Sequence, residues 1–202
     1  MTRKLGLLGG TFDPVHLGHL IAAEDVRVQL GLAKVLFVPA KQSPMKQDRT
    51  PSSVEHRLAM VELAIGSNPY FSVSRVEVER GIPSYTIETV RYLLEEEGPD
   101  ASLHFLVGLD QAAALPQWKD PGPLMEICQL VFMTRPGWSP PDYDFLQRYI
   151  SRARERIVLA QVPAIDISST EIRRRVGQGI SVKYLVPEAV EEYILKHELY
   201  LA

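Results

Sequence analysis

Short apolar runs alternate with longer amphipathic ones along this chain, and that alternation restricts its fold more than any other feature. Residues 4–9 (KLGLLG), 34–40 (KVLFVPA), 102–108 (SLHFLVG), 129–135 (QLVFMTR) and 156–163 (RIVLAQVP) read as strands, most of them apolar enough to be buried. Residues 71–80 (FSVSRVEVER) alternate in polarity and predict a half-exposed strand. Residues 19–31, 53–66, 86–98, 168–179 and 187–200 read as helices, with Ser53 placed to cap the second and Gly31 and Gly98 to end the first and third. The pattern predicts an α/β fold, a Rossmann-like, doubly wound, mainly parallel sheet with helices on both faces. A single domain over residues 1–202, with a small C-terminal helical part from about 164 to 202, fits the length. Such sheets bind ligands beyond the carboxyl ends of their strands, which directs attention to the residues following Gly9, Ala40, Arg80, Val107, Arg135 and Val162. Residues 40–52 and 135–144, rich in proline and charge, are expected as flexible connections, the first a candidate to close over substrate.

Lysine and arginine number 22 against 25 acidic residues, so the formal net charge is −3. That balance argues against a general nucleic-acid binder but not against a local basic pocket. The single cysteine, Cys128, excludes an internal disulfide framework and fits a reducing compartment. No run approaches the ~20 apolar residues of a membrane span. The N-terminal run is broken by glycines and lacks a signal-peptide pattern. The expectation is a cytoplasmic protein with no membrane partner and an oligomeric state that the sequence leaves open.

The stretch GGTFDPVHLGH (9–19) joins the first strand to the first helix. Gly9 and Gly10 are expected to allow a positive φ and a close ligand approach. A helix start offers unpaired N–H groups and the positive end of a dipole, which suit a phosphate. His16 and His19 share one helix face, and imidazoles donate to phosphate oxygens. Gly18 between them costs ~1 kcal/mol of helix stability relative to alanine, which makes sense where something passes close to the backbone. Taken alone, the pair also fits two ordinary first-turn surface residues. A metal site needs further ligands, and no His or Cys cluster offers them at familiar spacing. His56, His104 and His197 stand apart and read as structural. Further along, ISSTEIRRRV (167–176) opens with Ser168 as an N-cap and Glu171 three residues later, a capping box. Arg173 follows one turn in, where its guanidinium could fork onto phosphate oxygens. Alone, that segment reads better as a capped, solvated basic helix.

Together these motifs resemble the nucleotidyltransferase superfamily with its (T/H)-x-G-H signature, and across nearly the whole chain the bacterial nicotinate-nucleotide adenylyltransferase family. RLAMVELAI (57–65), SYTIETV (84–90), GLDQAAALPQW (108–118), RPG (135–137), ISSTEIR (167–173) and VPEAVEEYILKHELY (186–200) occur in the family's order. The resemblance implies transfer of AMP from ATP to nicotinate mononucleotide, giving nicotinate adenine dinucleotide and pyrophosphate in NAD biosynthesis. It implies His16, His19, Lys46 and Arg173 as the catalytic groups. ATP is expected on Gly9, Gly10, Thr11, Phe12, His16, His19, Gly108, Asp110, Ser168, Ser169, Thr170 and Arg173. The mononucleotide is expected on Lys46, Tyr85, Thr86, Trp118 and Lys119, with Trp118 stacking on the pyridine and backbone amides near Thr86 and Lys119 receiving its carboxylate. Without the resemblance, Trp118 is as readily a core anchor and Asp110 a helix N-cap. One departure stands out: where the family reads PPHK, this chain reads SPMK (43–46), keeping Lys46 but placing Met45 where a histidine is usual. Mg²⁺ is expected to arrive bridging the triphosphate, held by phosphate and water, with no dedicated metal ligands on the protein. The rival acceptors are nicotinamide mononucleotide and phosphopantetheine; the rival classes are a nucleotide sensor without catalysis and a polynucleotide binder using EIRRRV.

Overall fold

The computed structural model describes residues 2–41, 51–80, 85–134, 139, 141–150 and 152–201. Six strands, β1 (Arg3–Gly10), β2 (Lys34–Pro39), β3 (Phe71–Val73), β4 (Ala101–Gly108), β5 (Cys128–Thr134) and β6 (Ile157–Gln161), form one sheet in the order β3-β2-β1-β4-β5-β6. Every pair is parallel. The expected doubly wound architecture is therefore what forms, with a sheet wholly rather than mainly parallel. Strand order reverses between β1 and β4, and a crevice opens at that reversal in such sheets. Gly9 and Gly10 end β1 and Gly108 ends β4, so the motif glycines land at the switch point.

Alternate strand residues feed two apolar clusters. Leu5, Leu7, Leu103, Phe105, Leu130 and Phe132 pack on one face with α4 (Thr86–Glu97) and α5 (Pro121–Ile127). Leu8, Val35, Phe37, Leu106 and Val131 pack on the other with α1 (Leu17–Leu30), α2 (Val54–Ile65), α8 (Ser169–Gly177) and α9 (Glu188–Lys196). Each fully buried leucine of this kind contributes roughly 1.5–3 kcal/mol of transfer free energy. The two C-terminal helices belong to the second cluster through Ile172, Val176, Val190 and Ile194. No described helix is long and apolar enough to cross a membrane. Cys128 is buried, and burial pushes its thiol up to about 12, so it stays protonated and unreactive.

The sequence reading differs from the structure at several places, the last helix among them, which ends at Lys196 rather than residue 200. Residues 71–80 do not continue as a strand: pairing stops after Val73, and α3 (Val76–Glu79) follows. The last ladder bond runs from Ser74 N–H to the Phe37 carbonyl at 2.8 Å, and Pro39 of β2 has no N–H with which to continue it. Residues 109–117 form a 3₁₀ segment (Leu109–Gln117), and α5, α6 (Tyr143–Gln147) and α7 (Ala153–Arg156) are too short to show a helical period in the sequence. Helix α1 starts at Leu17, two residues before the apolar period suggests, because His16 is its N-cap. Gly31 ends it at φ 63°, as expected of a left-handed cap. Of the expected connections, residues 42–50, 135–138 and 140 lie outside the described residues, and Tyr143 and Asp144 belong to α6 instead.

Candidate active site

At the carboxyl end of β1 the backbone turns at Phe12, whose φ is 50°. Gly9 and Gly10 stay within the strand without a positive φ, contrary to the expectation from their sequence. Their missing side chains leave room for two aromatic rings. A Cβ at Gly9 would lie 3.1 Å from the Phe105 ring, and one at Gly10 would lie 3.0 Å from that of Phe12.

His16 caps α1 and is 6% exposed, while His19 occupies the third helical position. Their rings stack at 3.7 Å with planes 25° apart. The His16 N–H donates to His19 Nδ1 at 3.3 Å, and the Phe12 ring meets His19 edge-on at 5.2 Å. Gly18 has a concrete reason to lack a side chain: its Cβ would stand 3.1 Å from His16 Nδ1 and 3.2 Å from Cε1. The body passing close to the backbone is thus the His16 ring itself. The C-terminal part completes this helix start, since Leu17 N–H donates to the Leu185 carbonyl at 3.0 Å.

The second motif comes to the same place. Ser168 caps α8, its hydroxyl accepting from Glu171 N–H at 3.2 Å. Only this half of the expected capping box is made. The Glu171 carboxylate turns to Arg174 at 2.7 Å and Arg175 at 3.0 Å, and those guanidiniums hold it down to about 2. Arg173 points the other way, into the β1–α1 connection. Its Nη1 donates to the Asp13 carbonyl at 2.7 Å and its Nη2 to Thr170 Oγ1 at 3.2 Å, while Ser169 Oγ donates to the Pro14 carbonyl at 2.8 Å. Two helix N-termini, two imidazoles and one guanidinium are thereby tied into one cationic, donor-rich corner at the switch point.

Beyond β4, Gly108 is the N-cap of the 3₁₀ segment, and Asp110 sits inside its first turn rather than capping it. The Asp110 carboxylate folds back onto Gly108, where a Cβ would collide with Oδ1, and it accepts from Gln111 Nε2 at 2.8 Å. Trp118 follows that segment, partly buried, its ring edge-on to Phe105 at 5.9 Å and 86°. Trp118 packs against the core through Phe105, and its buried Nε1 has no hydrogen-bond partner among the described residues. Tyr85 caps α4, and Thr86 is that helix's first residue. Lys119 Nζ lies 4.7 Å from the Tyr85 ring centre and 2.9 Å from Glu88 Oε1, and this ammonium lowers the Glu88 carboxyl below its usual range. Tyr85, Thr86, Trp118 and Lys119 thus share one neighbourhood. The Phe105 ring, touching both Gly9 and Trp118, separates it from the end of β1.

Lys46 and Met45 lie outside the described residues. Among the described residues no group of three or more His, Cys, Asp or Glu could hold a metal ion. His56 and His197, far apart in sequence, meet at 5.4 Å between α2 and α9, with Tyr193 OH 3.0 Å from His56 Nδ1. His104 is buried on β4 with Nδ1 3.2 Å from the Ser102 carbonyl, and burial lowers its pKa. Three residues at the site escaped the sequence reading: Asp13, Arg57 and Tyr200, all joined to the β1–α1 connection. Arg57 left a usable signal, a charge on the apolar stripe that Met60, Val61 and Ala64 form along α2.

The same fold occurs in known proteins. Residues 7–175 match the cytidylyltransferase-like family. A protein named probable nicotinate-nucleotide adenylyltransferase from Thermomicrobium roseum is 45% identical over 197 residues, covering 98% of this chain and 91% of that protein. One of the same name from Moorella thermoacetica is 44% identical over 198 residues, again covering 98% and 91%. Among solved structures, Plasmodium falciparum nicotinic acid mononucleotide adenylyltransferase complexed with NaAD superposes with a TM-score of 0.79 at 18% identity, over 98% of this chain and 97% of that one. With its switch-point glycines, paired histidines and second capped helix in that order, the chain belongs to the nicotinate-nucleotide adenylyltransferase family of cytidylyltransferase-like nucleotidyltransferases.

Proposed function

We propose that this protein transfers AMP from ATP to nicotinate mononucleotide, releasing pyrophosphate and forming nicotinate adenine dinucleotide for NAD synthesis. One observation carries the reading: Arg173 and Ser169 of α8 bond directly to the carbonyls of Asp13 and Pro14, three and two residues ahead of the His16 cap. That contact brings two anion-attracting helix starts together at one corner.

In this reading the triphosphate lies across the corner. His16, His19 and Arg173 face its oxygens, Gly9, Gly10, Thr11 and Phe12 lie beneath it, and Ser168, Ser169 and Thr170 close it. Gly108 and Asp110 take the ribose, whose hydroxyls a carboxylate accepts well. Nicotinate occupies the neighbourhood of Tyr85, Thr86, Trp118 and Lys119. Glu88 already holds the Lys119 ammonium, so the nicotinate carboxylate is left to backbone N–H groups at the start of α4. Lys46 stays in the proposal as a phosphate ligand on the connection after β2. The acceptor phosphate attacks the α-phosphorus in line, forming the new P–O bond as the bond to the pyrophosphate oxygen breaks. A phosphate dianion needs no protein base to do this, so the protein positions the reactants and stabilises charge. Mg²⁺ belongs to the substrate here. The described corner offers N–H and cationic donors rather than a carboxylate cluster, and when bound the ion neutralises charge on phosphate oxygens. The reaction is read as cytoplasmic.

The test compares pyrophosphate release from ATP and Mg²⁺ with nicotinate mononucleotide, nicotinamide mononucleotide or phosphopantetheine, each below saturation. The acid should outpace the amide by roughly 10- to 100-fold, the worth of one charge-assisted hydrogen bond of about 1.5–3 kcal/mol. Equal rates would remove the carboxylate-reading role from the Thr86 region. Release with phosphopantetheine alone would overturn the acceptor, and release with none would leave only nucleotide binding.

Gly18→Ala separates stability from function. Alanine gains about 1 kcal/mol of helix propensity, but its Cβ would press on the His16 ring at 3.1 Å. Turnover should fall about tenfold, within the range a displacement near 1 Å brings, without a matching loss in melting temperature. Parent-like turnover would show that the ring's position is immaterial.

A further inference from the structure

Arg57 is 1% exposed on an otherwise apolar helix face. A guanidinium has five donors and no acceptor, and here backbone carbonyls receive them. Nη1 reaches Thr11 at 2.8 Å and Ala40 at 2.7 Å, Nε reaches Ser52 at 3.0 Å, and Nη2 reaches Lys41 at 3.4 Å. Those carbonyls belong to the segments that follow β1, follow β2 and precede α2. Asp13, 4% exposed, supplies the opposing negative charge. Its Oδ1 accepts the Tyr200 hydroxyl at 2.8 Å and its Oδ2 the Ser52 N–H at 3.4 Å. Burial beside that carboxylate raises the Tyr200 phenol well above its usual pKa, so it remains a donor. The carbonyl of the same Asp13 accepts Arg173.

A buried charge network of this kind is a poor way to gain stability, since apolar side chains of similar volume serve as well or better. It is a good way to fix the relative placement of backbone segments that have no ladder to hold them. We propose that Arg57, Asp13 and Tyr200 are positioning residues that set the 11–16 connection where His16, His19 and Arg173 can meet one triphosphate, making the end of the chain part of the active centre. This inference rests on the adenylyl-transfer reading. It adds that transition-state geometry is set from residues 57 and 200, which need not touch either substrate.

Tyr200→Phe removes one hydroxyl and keeps the ring. In the full chain it should melt as one cooperative unit, with kcat about tenfold lower, ATP binding by calorimetry about tenfold weaker, and KM for nicotinate mononucleotide unchanged. Arg57→Lys keeps the charge but loses the fork, and should lower kcat further if it folds. Should it not fold, Tyr200→Phe decides. Kinetics and ATP affinity within about twofold of the parent in Tyr200→Phe, with only the melting temperature moved, would overturn the proposal. If the parent binds ATP but uses none of the acceptors, the acceptor reading fails, while weaker ATP binding by Tyr200→Phe still supports the network. A parent that binds no ATP would overturn both.

Discussion

Replacing His19 with alanine should lower kcat by about 10²–10³-fold, the usual loss when a donor facing developing charge is removed. Its ring is partly buried and stacked on His16 at 3.7 Å, which keeps it in place at the start of α1. The variant also loses an acceptor for the His16 N–H, and a helix cap is worth about 1 kcal/mol. His19→Asn separates the two effects, because its carboxamide oxygen can restore the cap but brings no imidazole to the phosphate. Both variants should be slow, and only His19→Ala should melt earlier. If either retains more than about a tenth of the parent kcat, the histidine pair does not face the reacting phosphates.

Arg173→Lys should lower kcat/KM for ATP by about 10²-fold despite keeping the charge. The guanidinium uses Nη1 on the Asp13 carbonyl at 2.7 Å and Nη2 on Thr170 Oγ1 at 3.2 Å, so its five-donor fork is braced in one orientation at the corner. An ammonium has three donors on a flexible stem and cannot brace and bind in the same plane. Arg173→Met, which removes the charge as well, should lose about another tenfold. Steady-state kinetics with ATP varied and nicotinate mononucleotide saturating checks both. A lysine variant within about twofold of the parent would reduce Arg173 to a structural tie.

The strand–helix alternation made the sheet legible because parallel strands covered on both faces must be apolar throughout, and five of six strands carry that mark. The sixth misled, since FSVSRVEVER alternates through residue 79 while pairing ends near Pro39 of its neighbour. A missing N–H on another strand is not visible from the alternating segment alone. His16, His19, Ser168 and Arg173 were legible from helix-start chemistry. That the two starts join through the Asp13 and Pro14 carbonyls was not, because backbone acceptors leave no residue-type signature. The glycines were legible, but the positive φ expected of them was not adopted. Gly9 and Gly10 serve the rings of Phe105 and Phe12 rather than a left-handed turn, which falls on Phe12 itself. Arg57 was in plain view as a charge within an apolar stripe, whereas Tyr200 is one tyrosine among eight until the fold brings it to Asp13.

The central claim is that one site at the β1–β4 switch point moves an adenylyl group between phosphates. It is tested most directly by following ATP labelled at the α-phosphorus through a single turnover with nicotinate mononucleotide. The account predicts all label in the dinucleotide and none in the released pyrophosphate. Label left in ADP, with a phosphoryl group on the acceptor, or in free AMP with the mononucleotide untouched, would contradict it.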